Sequence, residues 1–339
     1  MSILLTGGLG FIGSHTCVIL LNNDYDIVII DNLSNSKIKV LDNIKKLTKN
    51  PNKIHFYKGD VNNTQDLTNI FSSHNIDAVI HFASLKAVSE SINLPLLYYK
   101  NNINGLINIL DVMKNFNCNK IIFSSSATVY GSKSKSPLSE DMITGTNITN
   151  PYGQTKYMQE QILFDYKKIN PELIVTILRY FNPIGAHLSG LLGEDPVGIP
   201  NNLFPYLLRS IFSNNILSVF GNDYDTRDGT CIRDFIHVMD LAEAHYITLK
   251  QNNNKNVSVY NLGMYSQDSN NGTTVLELIN TFEKINNVKI PYKFCERRQG
   301  DIDIVFAESS KIYNELGWRT KYTLEDICKD GYNYLLKQK

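Results

Sequence analysis

Tyr152 and Lys156 lie four residues apart in the segment NPYGQTKY, residues 150–157, and this pair could carry proton chemistry. The segment is predicted to begin a helix, so both side chains would lie on one helical face. A lysine ammonium beside a phenol can lower the phenol pKa from about 10 towards neutral pH. Tyr152 is therefore a candidate general base. Because such pairs are also common on solvated helix surfaces, the assignment depends on the motifs around it.

A glycine-rich turn lies far upstream in TGGLGFIGSH, residues 6–15, directly after a predicted strand. It places Gly7, Gly10 and Gly13 at a GxxGxxG spacing, which allows a tight turn and lets backbone amides and a helix N-terminus approach a pyrophosphate. Asp31 ends the second predicted strand, where a carboxylate can bind an adenosine ribose and would repel a 2′-phosphate. The pattern predicts NAD rather than NADP, with a turn cap as the alternative role of Asp31. The positive charge of an oxidised nicotinamide would add to the effect of Lys156 on Tyr152.

The elements that must position these residues alternate regularly in the first half of the chain. Strands are predicted at Ile3–Thr6, Ile27–Asp31, His55–Asp60, Ala78–Ala83, Lys120–Ser126 and Leu173–Tyr180, and helices around 12–22, 64–73, 95–116 and 150–169. Buried strands joined by crossover helices specify a parallel sheet that is covered on both faces. A serine-rich segment, SSSATVYG at 124–131, ends the fifth strand and makes the tyrosine–lysine pair more specific.

The pattern changes after Phe181 to loops rich in Gly, Pro and Asn, with isolated helices near 203–213, 238–249, 274–285 and 323–338. One strand-like piece, Val257–Leu262, is predicted to return to the first sheet. The fold class predicted is α/β, a Rossmann-type doubly wound parallel sheet with a smaller, discontinuous α/β substrate domain. The NAD-binding domain would comprise 1–181 plus about 236–263, and the substrate domain 182–235 plus about 264–339. Ligands bind such sheets at their carboxyl edge.

The composition excludes several classes of partner. Lys and Arg number 33, as do Asp and Glu, so no global field attracts nucleic acid or an anionic membrane surface. The five cysteines are scattered without metal-ligand spacing, which predicts thiols in a reducing compartment and no metal. No apolar run approaches the roughly 18 residues of a membrane span, and no basic leader precedes the first strand. We therefore expect a cytoplasmic protein without nucleic-acid or membrane partners.

The whole chain resembles the extended short-chain dehydrogenase/reductase family and, within it, the UDP-glucose 4-epimerases. Beyond the segments above, the motifs run in the family's order: HFASLKAVSES at 81–91, LRYFNPIGAH at 178–187, GIPNNLFPY at 198–206, GNDYDTRDGT at 221–230, RDFIHVMDLA at 233–242, ERRQGD at 296–301 and ELGW at 315–318. The resemblance implies an isomerase of galactose metabolism that interconverts UDP-galactose and UDP-glucose through a transient 4-keto sugar and NADH. NAD would be tightly bound and regenerated in each turnover.

The resemblance implies three catalytic roles. Ser126 would hydrogen-bond the 4-hydroxyl of the sugar, Tyr152 would remove its proton, and Lys156 would hold the nicotinamide ribose and tune Tyr152. The hydride would pass from carbon 4 to NAD. The keto sugar, tethered by its nucleotide, would then rotate and take the hydride back on its other face.

The same resemblance assigns positions that line the ligands. For the cofactor these are Gly7, Gly10, Phe11, Ile12, Gly13, Asp31, Asn32, Asn35, Ser36, Asp60, Val61, Phe82, Ala83, Ser84, Lys86, Asn102, Ser126, Tyr152, Lys156, Tyr180 and Phe181. For the UDP-hexose they are Lys86, Ser126, Tyr152, Asn182, Asn201, Asn202, Leu203, Ser218, Phe220, Arg233, Arg298, Asp301 and Val305. The two arginines can meet the diphosphate by charge-assisted bonds, and Asp301 would accept from the uridine ribose.

Several of these residues have plainer alternatives. Asp60 and Asp301 could be turn residues, and Arg233 could pair with Asp234 on a surface. Four apolar residues would look like core residues in isolation, namely Phe82, Phe181, Leu203 and Phe220. His237 is predicted to be packed rather than a metal ligand, because nothing supplies further ligands.

The chain departs from the family pattern at three places. Ser84 stands where the family has glycine, one extra residue lies between Ser126 and Tyr152, and the Asn-rich loop at 265–273 is lengthened. More informative is Val305, four residues beyond Asp301. Family members with tyrosine here are largely confined to UDP-glucose and UDP-galactose, whereas a small residue goes with acceptance of N-acetylated sugars. Valine therefore predicts activity on UDP-GalNAc and UDP-GlcNAc as well.

Three other functions remain alternatives. A 4,6-dehydratase of the same fold carries a Thr-Asp-Glu run where this chain has Ser126-Ala127-Thr128, and a non-catalytic dinucleotide-binding protein need not keep Tyr152 and Lys156. A dehydrogenase of free sugars or steroids would not need the uridine-diphosphate motifs. The helices at 95–116 and 150–169 could form the four-helix dimer interface common in the family or simply cover the sheet, and a homodimer is expected.

Overall fold

The computed structural model describes residues 1–198, 200, 202–212, 215–252, 256–264, 272–298 and 300–338. The chain forms two compact units. The first comprises Met1–Gly131, Thr144–Arg179 and Ala242–Tyr260, and the second comprises Ser132–Ile143, Tyr180–Leu241 and Asn261–Lys339. Four segments that the sequence predicts for the NAD-binding domain therefore belong to the second unit, namely 132–143, 180–181, 236–241 and 261–263. Which ligand each unit binds stays a prediction.

The elements follow one another in the order expected of alternating strands and helices. Up to the sixth strand they are β1 Ser2–Thr6, α1 Phe11–Asn22, β2 Asp26–Asp31, α2 Lys39–Leu47, β3 Ile54–Lys58, α3 Thr64–Ser73, β4 Ala78–His81, α4 Val88–Asn93, α5 Pro95–Asn115, β5 Lys120–Ser126, α6 Pro151–Ile169 and β6 Ile174–Tyr180. Two 3₁₀ turns, Pro51–Lys53 and Ala127–Tyr130, lie among them. All six predicted strands and all four predicted helices are confirmed, although β3 ends two residues before Asp60.

The remaining described elements are shorter. They are β7 Asn182–Ile184, α7 Leu203–Ser210, β8 Leu217–Phe220, β9 Ile232–Arg233, β10 Phe235–His237, α8 Val238–Leu249, β11 Ser258–Leu262, β12 Thr273–Thr274, α9 Val275–Asn286, β13 Tyr292–Cys295, β14 Ile304–Val305, α10 Ser310–Leu316 and α11 Leu324–Lys337. The strands β7 and β10 pair, β13 pairs with β8, and β9 lies between β12 and β14. These small sheets explain why no long alternating pattern was visible in this part of the sequence.

A seven-stranded sheet organises the first unit, in the order β11-β6-β5-β4-β1-β2-β3. The pairs β1–β2, β1–β4, β2–β3 and β4–β5 are parallel, which confirms the predicted Rossmann-type α/β fold. The predicted return of 257–262 to this sheet is also confirmed by β11 at its edge. From β1 the chain builds outward to β2 and β3 on one side and to β4 on the other. Sheets of this kind bind ligands at such a switch point, which here lies at the carboxyl ends of β1 and β4.

Each unit has its own apolar core. In the first, the buried side chains of β1, β2, β4, β5 and β6 pack against α3, α5 and α6, and fully buried examples are Leu4, Leu106, Ile121 and Leu163. In the second, α7, α9 and α11 pack together around Phe204, Leu278, Phe282 and Ile327. Among the described residues, no helix combines the length and apolarity that crossing a membrane requires.

Candidate active site

The glycine turn after β1 brings the start of α1 against the sheet. Gly7 has φ +68°, and a Cβ there would lie 2.9 Å from the backbone nitrogen of Ala83. A Cβ at Gly13 would lie 2.6 Å from the carbonyl oxygen of Gly7, so the helix packs directly on the turn. Gly10 differs, because its Cβ would meet only that carbonyl oxygen, at 3.2 Å. Two glycines thus permit close packing, and the third borders open space.

The first turn of α1 presents free backbone donors to this space. Within the described chain, no side chain caps the helix at Gly10, and its first turn holds no acidic residue. The early N–H groups of a helix lack partners inside the helix, and the peptide dipoles add partial positive charge there. Together with the small Gly10, this end suits an anion such as a pyrophosphate.

Asp31, at the end of β2, joins the glycine turn to the loop that follows the strand. One carboxylate oxygen accepts from Leu9 N at 3.0 Å. The other accepts from Leu33 N at 3.0 Å and from Ser36 Oγ at 2.7 Å. Asp31 therefore does cap the turn that follows β2, which was the alternative to a ribose contact. A carboxylate has about four acceptor positions, so a further donor can still be accommodated, and the predicted ribose contact stays a prediction.

Asp60 lies beside Asn32, another predicted cofactor residue. Its carboxylate accepts from Asn32 Nδ2 at 2.9 Å, from Asn62 N at 2.8 Å and from Asn62 Nδ2 at 3.1 Å. Burial works to raise the pKa of Asp60, but these hydrogen bonds outweigh it and hold the pKa below its usual value. The loops that follow β2 and β3 are thereby connected at the edge of the sheet where the cofactor is predicted.

The segment after β4 is held by buried side chains of α5. Asn102 accepts from Leu85 N at 2.9 Å and donates to Leu85 O at 3.1 Å and to Thr155 Oγ1 at 2.9 Å. The fully buried Tyr98 hydrogen-bonds the backbone of Ala87. Lys86 lies between these two anchored residues, so its backbone position is fixed. The importance of Tyr98 was missed in the sequence, where it is one of several aromatic residues.

Helix α6 places Tyr152 and Lys156 against the end of β5. Asn150 caps the helix by accepting from Gly153 N at 2.8 Å. Tyr152 is hydrogen-bonded to Ser126. The buried Lys156 donates from Nζ to the Ser124 carbonyl at 2.7 Å, and this nitrogen lies 6.0 Å from the centre of the Tyr152 ring. The structure therefore brings together the three predicted catalytic residues.

The electrostatics of this group differ from the expectation. Burial raises the pKa of Tyr152, and the hydrogen bond with Ser126 and the charge of Lys86 only partly oppose it. Burial also lowers the pKa of Lys156 to about 7, although Glu160 opposes this effect. The protein's own groups therefore leave the Tyr152 pKa above its usual value. The lowering expected from the four-residue spacing requires a further positive charge.

The second unit gathers several predicted substrate residues. Arg233 and Val305 are register partners in the parallel pair β9–β14, and Arg233 Nη2 lies 3.5 Å from the Asp301 carboxylate. The guanidinium of Arg298 lies 3.9 Å from the centre of the Phe220 ring. A cationic group beside an acceptor, and another over an aromatic face, form a polar surface that suits a charged, hydrogen-bonding ligand.

Arg233 does not pair with Asp234, which the sequence had offered as an alternative. The Asp234 carboxylate is buried and accepts from Met264 N at 2.7 Å and from Ala307 N at 2.9 Å. Burial raises its pKa to about 6. Asp234 thus fixes the backbone near β14, whereas Arg233 is directed towards Asp301.

The other predicted residues are placed as follows. Asn182 begins β7, Asn202 precedes α7, Leu203 begins that helix, Ser218 lies in β8, and Tyr180 and Phe181 are buried at and after the end of β6, whereas Asn201 lies outside the described residues. His237 is packed as predicted, with its ring stacked 4.2 Å from that of Tyr322. Among the described residues, no three His, Cys, Asp or Glu side chains are grouped to hold a metal.

Comparison with known proteins gives consistent results. Residues 4–331 match the family described as GDP-mannose 4,6 dehydratase. UDP-glucose 4-epimerase of Bacillus subtilis (strain 168) is 49% identical over 336 residues, which cover 98% of this chain and 96% of the relative. These matches place the chain in the extended short-chain dehydrogenase/reductase family, in the branch formed by the UDP-glucose 4-epimerases.

Solved structures agree with this placement. The UDP-glucose 4-epimerase of Bifidobacterium longum, solved in complex with NAD+ and UDP, has a TM-score of 0.93 and 45% identity, covering 99% of this chain and 98% of that one. The UDP-Glc/GlcNAc 4-epimerase of Campylobacter jejuni has a TM-score of 0.82 and 34% identity, covering 99% of each chain.

The lowered pKa of Lys156 predicts a specific dependence of stability on pH. Between about 7 and about 10 the unfolded lysine is protonated and the folded lysine is not, so the unfolded state binds more protons and stability rises with pH. Below about pH 7 the lysine is charged in both the folded and the unfolded state. The folded state then bears the full desolvation cost of burying that charge. In urea unfolding, the native chain should therefore gain roughly 1 kcal/mol per pH unit over Lys156→Met across this window. A difference that is constant from pH 7 to 10 would contradict the assignment.

Proposed function

We propose that this protein is an NAD-dependent isomerase that interconverts UDP-galactose and UDP-glucose. The observation that carries this proposal is the grouping of Ser126, Tyr152 and Lys156 at the end of β5, in the same sheet whose β1 leads into the glycine turn. The relationship to UDP-glucose 4-epimerases supports it.

The first unit has the features that NAD needs. The uncapped start of α1 and the open space at Gly10 would receive the pyrophosphate, Asp31 would accept from the adenosine ribose, and Lys156 would donate to the nicotinamide ribose. Bound NAD supplies a hydride acceptor and donor together with a positive charge on its oxidised ring. That charge is the further positive charge that Tyr152 lacks in the protein alone.

Tyr152 then acts as the base for the sugar 4-hydroxyl. Its hydroxyl is already hydrogen-bonded to Ser126, so a substrate hydroxyl that reaches this pair meets one proton acceptor and one group that orients it. The positive charge of Lys86 also acts to lower the pKa of Tyr152. When the keto group is reduced again, the protonated tyrosine returns its proton, so Tyr152 is unchanged over a full turnover.

The second unit would hold the nucleotide half of the substrate. Arg233 and Arg298 would neutralise the diphosphate, and Asp301 would accept from the uridine ribose. A substrate held through its nucleotide can turn its sugar over without leaving the protein. This is the requirement for returning a hydride to the opposite face of the same carbon.

The matched family description also names a dehydratase, but the residues after β5 do not favour that reaction. A 4,6-dehydratase needs an acid and a base to remove water, and its family carries Asp and Glu after the position of Ser126. Here those positions hold Ala127 and Thr128, in a 3₁₀ turn. Neither side chain can serve as a carboxylate acid or base.

The proposed reaction is tested with Tyr152→Phe. The native chain should convert UDP-galactose to UDP-glucose without added NAD, and extracted protein should release NAD. The variant keeps the ring but loses the proton acceptor, so kcat should fall by about 10²-fold or more while NAD remains bound. Product is followed by chromatography. A variant with native kcat would exclude Tyr152 as the base, and a native chain without UDP-glucose product would refute the epimerase assignment.

We also propose that N-acetylated UDP-hexoses are substrates. Val305 is partly exposed and is the register partner of Arg233, so its side chain lies beside a residue proposed to bind the diphosphate. Valine is much smaller than tyrosine and leaves room for an acetamido group. The C. jejuni relative, described as acting on Glc and GlcNAc, supports this breadth within the same fold.

Replacing Val305 by tyrosine should separate the two activities. In Val305→Tyr, kcat/KM for UDP-GalNAc should fall by about 10-fold to 200-fold, the range that steric pocket contacts provide, while UDP-galactose is still converted. Val305→Ala is the matched control and should retain both. Equal loss on both substrates in Val305→Tyr, or no loss on either, would contradict a size filter at this position.

We further propose a cytoplasmic homodimer. All five cysteines are free thiols, which is typical of a reducing compartment. Large exposed apolar side chains concentrate on α4, α5 and α6, namely Val88, Ile92, Leu96, Leu97, Ile107 and Met158. Leu96 and Ile107 lie three helical turns apart on one face of α5. An apolar surface of this kind marks an association site, and a two-fold pairing of α5 and α6 would cover it.

Charges on this face should separate the protomers. The double variant Leu96→Lys/Ile107→Lys would bring unpaired charges into the interface, so light scattering should report a monomer mass where the native chain gives twice that mass. Ile143→Lys, another exposed apolar site that lies in the second unit, is the control and should stay dimeric. A native monomer would overturn the proposal.

A further inference from the structure

Helix α6 contacts three consecutive residues at the end of β5 through side chains spaced four residues apart. Lys156 donates to the Ser124 carbonyl, Glu160 accepts from the Ser125 hydroxyl, and Tyr152 is hydrogen-bonded to Ser126. Two of these helix residues belong to the proposed chemistry, whereas Glu160 does not and was missed in the sequence. The spacing could have indicated Glu160, because it follows Lys156 by four residues, the same interval that separates Lys156 from Tyr152.

Both carboxylate oxygens of Glu160 are hydrogen-bonded in the protein interior. Its Oε1 accepts from Ser125 Oγ at 2.5 Å and from Arg179 Nε at 3.0 Å, and its Oε2 accepts from Arg179 Nη2 at 2.7 Å. The exposed fractions of the two charged side chains are 0% and 4%. Arg179 also donates to the Tyr130 hydroxyl at 3.0 Å. A buried pair in which each side-chain nitrogen and oxygen has a hydrogen-bond partner has little freedom to move.

Arg179 explains how the carboxylate can remain here. An unpaired buried carboxylate is very unfavourable, and the bidentate guanidinium on β6 compensates it. The hydrogen bond from Ser125 is not needed for that compensation, because Arg179 contacts both carboxylate oxygens. The Ser125 contact instead connects the ion pair to the residue directly before Ser126.

We propose that Glu160 is a positioning residue, which through Ser125 fixes the end of β5 against α6 and so sets the positions of Ser126 and Lys156. The inference rests on the proposed epimerase function, because it assigns Glu160 to the same site. Glu160 makes no contact with the reacting atoms in this role.

A second effect of Glu160 makes the role measurable. Its negative charge raises the pKa of Lys156 against the burial that lowers it to about 7. Within the described chain, Tyr152 on α6 and His81 on β4 also lie close to Lys156, and burial together with the charge of Lys156 lowers the pKa of His81 to about 3. Arg179 on β6 contacts both carboxylate oxygens of Glu160.

The first experiment compares Glu160→Gln with the native holoenzyme. The pKa of Lys156 is measured by NMR with ε-¹³C-lysine, its resonance being assigned by its loss in Lys156→Met. In Glu160→Gln this pKa should fall further, and kcat should drop by about 10-fold to 100-fold with little change in KM, because misplacement affects the transition state. Asp165→Asn removes an exposed carboxylate from the same helix and should change neither quantity. An unchanged pKa with an unchanged kcat overturns the proposal.

Two further variants separate positioning from simple charge compensation. Ser125→Ala removes the strand contact and keeps the ion pair, so kcat should fall while the Lys156 pKa stays native. Glu160→Gln/Arg179→Met removes both charges and should unfold at a higher urea concentration than Glu160→Gln without recovering kcat. Native kcat in Ser125→Ala, or in the double variant, would mean that Glu160 only neutralises Arg179. The NMR measurement requires no turnover, so a failure of the epimerase assignment remains distinguishable from a failure of this inference.

Discussion

The contact between helix α6 and the end of strand β5 is the constraint on which the proposed chemistry depends. It buries an ammonium, a carboxylate and a guanidinium within a short distance of one another, at positions where an isolated charge would be strongly unfavourable. The arrangement persists because each charge has partners: Lys156 has the Ser124 carbonyl, and Glu160 has Arg179 and Ser125. Removing Arg179 or Glu160 alone would leave the other charge without compensation.

The same low-dielectric surroundings explain why the site is incomplete without a cofactor. Burial raises the Tyr152 pKa and lowers that of Lys156 to about 7, so burial acts against the charged form of each group. A neutral phenol is a poor base. The bound positive charge of NAD would reverse the balance at Tyr152, and the uncapped start of α1 beside Gly10 would hold the opposite, anionic part of the same molecule. Proton transfer would therefore be efficient only when the hydride acceptor is present.

Much of this could be predicted from the sequence, because the signals are local. Buried parallel strands are continuous β-branched runs, a glycine turn is compact, and the Tyr152–Lys156 spacing lies within one helix. The short helices α2, α4 and α10 were not predicted from the sequence. The buried pair Glu160–Arg179 joins two different elements, and the backbone N–H groups that donate to Asp234 come from segments far apart in the chain, so no local pattern indicates these contacts. The raised pKa of Tyr152 depends on burial, which spacing alone does not give.

The backbone around Val305 is held in a way that would allow one side chain there to control substrate size, as we propose. The Ser136 hydroxyl accepts from Phe306 N at 3.0 Å and donates to Ile304 O at 3.2 Å. It therefore holds the backbone on both sides of Val305. The backbone N–H of Leu138 also donates to Phe306 O, at 2.9 Å, and holds the same segment. A backbone held on both sides cannot shift to make room for a larger side chain. Added volume at Val305 must therefore enter the space beside it, and the acetamido group of a substrate would compete for that space.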